Sequence, residues 1–600
     1  MVKVLPSILC AGVAVEAAAI RGGGFPRGGA HISRLAEDPY SLPSLSVNVS
    51  ARAEALRVKR EGWQYGPSIA GNTSFYPVGA LADVATKADT NTLFAFQDKH
   101  TANVGIDKQN ALDAVNATGG IKSLDEYHKL YDHEWVITVP EGPYIGMLSN
   151  YTSDLLFSME RLSVAPASVA RVGANDGLLF TVANAASITG LSLEQLQAQG
   201  RLFIIDYLDQ KDLPRSSDIK FGAACQAYFY IHPESGDFLP LAIKPNVEGS
   251  DLVYTPEDEE NDWTLAKLMF NLNDVWFTQW FHLAAGHETA EIVYLAAIRT
   301  LSEEHPLMPF LHRLMKQAWA MRHSAEQRLI NVGGPVDQLF PWAGSSAGVY
   351  TDALYQSGLA SKFRANYLEA NLKSRGLLNS AFGPKLKSFP YLEDATLVTD
   401  AIRTFMKSFV SSYYLTSDDV TADKELQAWI KEAGPAEIKD FPTAVTDVDG
   451  VVDIMTHMCY LVAVQHGVLN SNSPVASTAS LPLHPLAFYH PLPTEKGVTN
   501  IMQYMPPLAA AVGQISLLAA FNRPQFLDTN QTLSYLFDDS EILARMNPET
   551  KKAAAAFRVE MDAFSKVVRS RKFDADGLSQ GMPFLWNALD PNRAPYWVTI

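Results

Sequence analysis

From Trp263 to Glu304 the chain contains no proline and a single glycine, Gly286, and the run stops at His305-Pro306. So long a stretch without breakers predicts one helix well beyond the usual length. It is apolar on most faces, which places it at the centre of a large helical domain. Lys267, Asp274, His282, His287, Glu288 and Glu291 along the run exclude a membrane span. Two of these residues, His282 and His287, stand five positions apart. At about 100° per residue their imidazoles would diverge by about 140° on a regular α-helix. Metal-binding histidine pairs on helices are normally spaced i, i+3 or i, i+4. One π-type turn brings i and i+5 to about 50° apart, and such turns cluster at functional sites. Gly286, directly before His287, is placed to ease such a turn.

A second pair lies in YLVAVQHGVLNSNS (460–473), where His466 and Asn470 are i, i+4 and share one helical face. An amide on an apolar helix is costly unless it is paired. Taken singly, each histidine reads most simply as a satisfied core residue. Together, three neutral imidazoles and an amide oxygen suit iron or manganese with open positions better than a closed structural zinc site. HETAE (287–291) is not the HExxH of zinc peptidases, because Glu291 holds the fifth place. His484 and His490, in the proline-rich LHPLAFYHPLP, read as structural.

The formal net charge of -17 argues against nucleic acid and against loose adhesion to anionic membranes. MVKVLPSILCAGVAVEAAAI resembles a secretory signal, with Lys3, a short apolar run and small residues at Ala17–Ala19. The expected organisation is a signal peptide over 1–19, a flexible leader over 20–60 and one large domain over 61–600. Sequons at Asn48, Asn72, Asn116, Asn150 and Asn530 fit an exported glycoprotein. Cys225 and Cys459 are the only cysteines beyond Cys10, so the domain is not a disulfide scaffold. LFIIDYL and AYFYIHPESGDFLPLAI, within 200–245, read as strands, the second as a hairpin turning at Gly236. The acidic PEDEEND (256–262) opens the long helix. Further helical patterns fall at 308–331, 358–374, 395–415, 446–470, 500–521 and 550–570. The class is mainly α with a small β portion.

These residues resemble the lipoxygenase family. WTLAKLMFNLNDVWFTQWFHLAAGHETAEIVYLAAIRTLSEEHPLMPFL (263–311) is similar to its signature, in which a His-x4-His pair is followed by a glutamate, here Glu291, and then by His-Pro. HGVLN resembles its His-x3-Asn motif, and LFIIDYLD (202–209) and LPLAI (239–243) resemble its strands. The chain ends APYWVTI, like family members whose terminal isoleucine or valine carboxylate binds the metal. The resemblance implies His282, His287, His466, Asn470 and the carboxylate of Ile600 as ligands. It also implies a π-turn in the central helix, Leu329 and Leu518 as a clamp on the substrate, and Ala325 as the residue that steers oxygen. Gln279, Ser473 and Glu291 would lie around the ligands, and Arg523 in FNRPQ would meet a substrate carboxylate. The sequence leaves no room for the family's N-terminal β-barrel beside its first helices. With Ser473 where plant members carry glutamine, and with the signal and sequons, it is most similar to the secreted fungal members that use manganese.

The implied function is a secreted dioxygenase for polyunsaturated fatty acids such as linoleate and linolenate. A M(III)–hydroxide would take a bis-allylic hydrogen and O2 would then add to give a hydroperoxide. The implied cofactor is one manganese ion, with iron the alternative and neither haem nor nucleotide. The partners are fatty acid and O2, and the chain is expected to be a monomer with no membrane span. The alternative is a catalytically inactive secreted lipid-binding protein of the same fold.

Overall fold

The computed structural model describes residues 39–66, 76–132, 135–378, 381–470 and 480–598. Helix α1 (Val49–Gly62) opens at Asn48, whose side chain accepts from the Ala51 amide at 3.0 Å. This corrects the expectation of a flexible leader through residue 60. Arg52 is buried, and its guanidinium holds both oxygens of Glu425 at 2.6 and 2.9 Å and reaches Glu304 at 3.3 Å. The helix is anchored by an ion pair with a residue far along the chain, which hydrophobic patterning does not register. A two-stranded antiparallel ribbon, β1 (Gln64–Gly66) and β2 (Tyr76–Val78), leads to α2 (Ala80–Ala117). This long helix buries only a thin stripe that includes Leu93, Val104, Ala111 and Val115.

The three expected strands, β4 (Leu202–Asp206), β5 (Gln226–Ile231) and β6 (Phe238–Lys244), join an unexpected short strand, β3 (Ala170–Arg171), in a four-stranded antiparallel sheet of spatial order β3-β4-β5-β6. The β5–β6 hairpin turns at Gly236, whose φ of 74° is left-handed backbone that glycine adopts without strain. Phe229 of β5 meets Phe157 and Phe270, and this aromatic cluster seats the sheet on the central helix.

The long apolar run forms α3 (Glu260–His282), a π-turn at Leu283–Thr289 and α4 (Ala290–Thr300), without a break. Every residue from Asp262 to His282 is buried, and Glu260 and Asp262 occupy the first turn, where carboxylates complement the helix dipole. The surrounding helices include α5 (Ala318–Arg328), α6 (Pro390–Tyr413), α7 (Val448–Cys459), α8 (His466–Leu469), α9 (Leu508–Ala519) and α10 (Pro548–Arg569). A second π-turn, Tyr460–Gln465, joins α7 to α8. Of the pattern expected at 358–374, only Leu368–Ser374 is α-helix; a separate helix, Gly344–Ser357, ends at Gly358, whose φ of 91° is left-handed. The segment Val448–Leu469 is long and apolar enough to cross a membrane, and it is mostly buried inside the domain. Cys225 and Cys459 are both free and buried.

His457 on α7 is packed between the rings of Phe363 and Tyr367, with centroids 4.6 and 4.7 Å away. Burial pushes its pKa down to about 3. The folded state therefore holds it neutral while the unfolded chain takes up a proton below about pH 6.5. Its contribution to stability is present above that pH and is lost as pH falls toward 3, at up to about 1.4 kcal/mol per pH unit. His457→Phe is expected to flatten the acid limb of stability against pH; an acid limb of unchanged slope contradicts this assignment.

Candidate metal centre

His282 ends α3, His287 lies inside the π-turn and His466 opens α8. The wider π-turn does what the sequence spacing required: it brings the i, i+5 imidazoles to the same side. Their ring centroids are 5.5 Å apart, and that of His466 is 5.1 Å from His282 and 4.8 Å from His287. One nitrogen from each ring falls within 4.8 Å of the others, and all three residues are buried. His287 Nε2 and His466 Nε2 face each other at 3.0 Å. Burial, and then the neighbouring His466, hold the pKa of His282 well below its ordinary value, so it keeps a lone pair at neutral pH.

Asn470 follows at the end of α8, its backbone amide donating to the His466 carbonyl at 2.9 Å. Its side-chain oxygen is buried with no hydrogen-bond partner among the described residues. An orphaned buried acceptor is costly in a finished core and is accounted for by a cation. Three converging imidazoles and this oxygen therefore fit a metal ion with open positions, as the sequence implied.

Gly286 has a more specific role than easing the turn. A Cβ on it would lie 3.3 Å from His466 Cδ2 and 3.4 Å from His466 Cβ. The two segments therefore pack tightly at Gly286, where a side chain would press on His466. Gln279 donates from Nε2 to the Leu469 carbonyl at 3.3 Å, tying α3 to the His466–Asn470 segment. Glu291, one turn past His287, sits 4.0 Å from His287 Nδ1 and pairs with Arg322 of α5 at 2.7 Å. Sequence reasoning missed Arg322, although two glutamates on an apolar helix call for a buried cation. The second of them, Glu288, is also buried, and burial pushes its pKa up to about 8.

Leu518 is buried on α9, while Leu329 is half-buried at the C-terminal cap of α5. Ala325, half-buried, accepts from the Leu329 and Ile330 amides at 3.0 and 2.9 Å. Arg523 is not a solvated helix-end residue: it is 1% exposed, and burial pushes its pKa down to about 9. Its Nη1 donates to the carbonyls of Ala520 and Asn522 at 2.7 and 2.9 Å, and it lines a cavity with Glu141 and Arg593. His484 and His490 stand apart from the triad, His484 paired with Glu160 at 3.1 Å and His490 against Tyr504. Ile600, Ser473 and Asn72 lie outside the described residues. Asn48, Asn116 and Asn530 are exposed; the Asn150 amide instead donates to the carbonyls of Gly146 and Pro583 at 2.8 and 3.0 Å.

The fold and centre define a class: a mainly helical domain whose central helix carries buried imidazoles that meet a third imidazole and an amide. Residues 167–575 match the lipoxygenase family model, and the chain belongs to the lipoxygenase family. It is 43% identical over 567 residues to a manganese lipoxygenase of Fusarium oxysporum, covering 94% of this chain and 92% of that one. A manganese lipoxygenase of Gaeumannomyces tritici is 42% identical over 576 residues, covering 94% and 93%. Among solved structures, a manganese lipoxygenase superposes with a TM-score of 0.91 at 40% identity, covering 94% of this chain and all of that one. Coral 8R-lipoxygenase, at 20% identity and a TM-score of 0.76, shares the fold.

Proposed function

We propose that this protein is a secreted manganese-dependent dioxygenase that converts polyunsaturated fatty acids to hydroperoxides. What carries the reading is the His282–His287–His466 triad beside the orphaned Asn470 oxygen, in a chain 41–43% identical to manganese lipoxygenases over 94% of its length. The export part rests on the signal-like N-terminus and on the exposed Asn48, Asn116 and Asn530.

Bound manganese would supply a one-electron couple able to oxidise a weak bis-allylic C–H. The chain's own residues do the rest. The three imidazoles and the Asn470 oxygen would hold the ion in a site shielded from water by the core. Leu329 and Leu518 are proposed to grip the pentadiene so that one methylene faces the centre. The pentadienyl radical spreads over five carbons, and O2 adds at the position left open. Ala325 is proposed to shield one end. Removing its methyl in Ala325→Gly is expected to shift the S to R product ratio about tenfold, ~1–2 kcal/mol between barriers, from mainly S toward R. Chiral chromatography of linoleate products reads this, and an unchanged ratio removes Ala325 from the role.

Arg523 is the proposed partner for the fatty-acid carboxylate. A carboxylate approaching a chain of net charge -17 needs a local cation, and desolvating one without a partner is costly. Arg523→Ala is expected to raise KM for linoleate about ten- to a hundredfold, ~1.5–3 kcal/mol, with kcat little changed. An unchanged KM rejects the contact. The reaction itself is tested by oxygen uptake and conjugated-diene absorbance. Linoleate is expected to be consumed and stearate, which lacks the pentadiene, to be inert. Metal-loaded protein that binds linoleate without consuming oxygen would instead mark an inactive lipid carrier.

A further inference from the structure

His287 faces His466 through Nε2, which turns its Nδ1 to the opposite side. There Glu291 Oε1 lies 4.0 Å away and makes no hydrogen bond among the described residues. The other oxygen of that carboxylate is fixed: Arg322 Nε donates to Oε2 at 2.8 Å, and Arg322 Nη2 lies 2.7 Å from it. Glu291 and Arg322 are both fully enclosed, 1% and 3% exposed. An imidazole that coordinates through Nε2 carries its proton on Nδ1, and away from water that N–H needs an acceptor. Glu291, one turn along the helix, is placed to be that acceptor after a small ring rotation. Arg322 stands on α5, three residues before Ala325 and seven before Leu329. The ion pair thus joins the ligand helix to the helix that carries the proposed oxygen- and substrate-facing residues.

We propose that Glu291 and Arg322 are positioning residues for the metal centre: Glu291 accepts a hydrogen bond from the Nδ1–H of His287 when the ion is bound, and Arg322 holds the carboxylate in place from α5. The anionic acceptor increases electron donation by His287 and so favours the oxidised ion. The pair also couples the packing of α5 to the geometry of the ligand. The inference rests on the metal reading above.

The test compares metal-loaded wild type with Glu291→Gln, which keeps shape and acceptor but removes the charge, and with the double variant Glu291→Gln/Arg322→Met, which leaves no unpaired buried ion. Manganese affinity is expected to fall about ten- to a hundredfold in both. The midpoint potential of the bound ion is expected to rise, and kcat to fall with KM for linoleate little changed. The double variant provides the same reading if the single one does not fold. Affinity and potential equal to wild type in a folded variant overturn the proposal. A wild-type protein that binds no redox metal would overturn the metal assignment itself, so the two failures are distinguishable.

Discussion

Replacing His466 with alanine is expected to abolish metal retention and to lower kcat/KM by at least about three orders of magnitude, ~4 kcal/mol of transition-state stabilisation. His466 is fully buried, packs on Gly286 and faces His287 Nε2 at 3.0 Å, at the centre of the cluster. His466→Gln, closer in volume, separates loss of the donor from loss of packing. Asn470→Ala is expected to behave differently. Its side-chain oxygen has no hydrogen-bond partner among the described residues, so its removal relieves a buried unsatisfied acceptor. The metal-free Asn470→Ala protein should be as stable as wild type or more so, while its metal affinity falls. Titration with manganese and denaturant unfolding of the metal-free forms check both halves; His466→Ala protein that holds manganese as tightly as wild type contradicts the site.

Replacing Arg161 with methionine is expected to destabilise the fold by about 3–5 kcal/mol. This arginine is completely buried against the rings of Phe157 and Phe270 and pairs with Glu160 at 2.7 Å and Asp274 at 3.4 Å. It also donates to Asn271. Glu160 is in turn 3.1 Å from His484 Nε2, and Asp274 accepts from the Tyr207 hydroxyl. Without the cation, two carboxylates are left in the core. Burial already raises the pKa of Asp274, and Arg161 is the main opposing influence. Asp274 lies two turns before His282 on α3. Urea unfolding of the metal-free protein provides the test, with the Glu160→Gln/Asp274→Asn/Arg161→Met variant as control. The triple variant should recover much of the loss, because breaking a buried network costs more than deleting it. A loss below about 1 kcal/mol in Arg161→Met would show that the network is dispensable.

The central helix was legible because its signal is local. A run without breakers fixes a helix, and two histidines five apart on it demand a turn wider than α. Asn470 was legible for a related reason, since an amide beside a histidine on an apolar face has no simple structural use. The chain offered no comparable sign of the second π-turn: YLVAVQ contains neither glycine nor proline and reads as ordinary helix. Nor did it show α1, whose one deep anchor is the Arg52–Glu425 pair joining residues far apart in the chain. Helix α2 buries so thin a stripe among threonines, asparagines and aspartates that its period is weak. Arg322 and Arg523 were ambiguous for a common reason: a long cationic side chain reads the same from sequence whether its head is solvated or enclosed. The part of Gly286 that mattered was its neighbour on another segment, which only the packed structure supplies.

The most direct measurement is elemental analysis and oxygen uptake on the same preparations of wild type and His466→Gln. A single manganese ion per chain in wild type, with linoleate-dependent uptake proportional to metal content and lost together with the metal in His466→Gln, is the predicted result. Uptake that survives loss of the metal, or its absence from folded, fully loaded wild-type protein, would contradict a dioxygenase built on this centre.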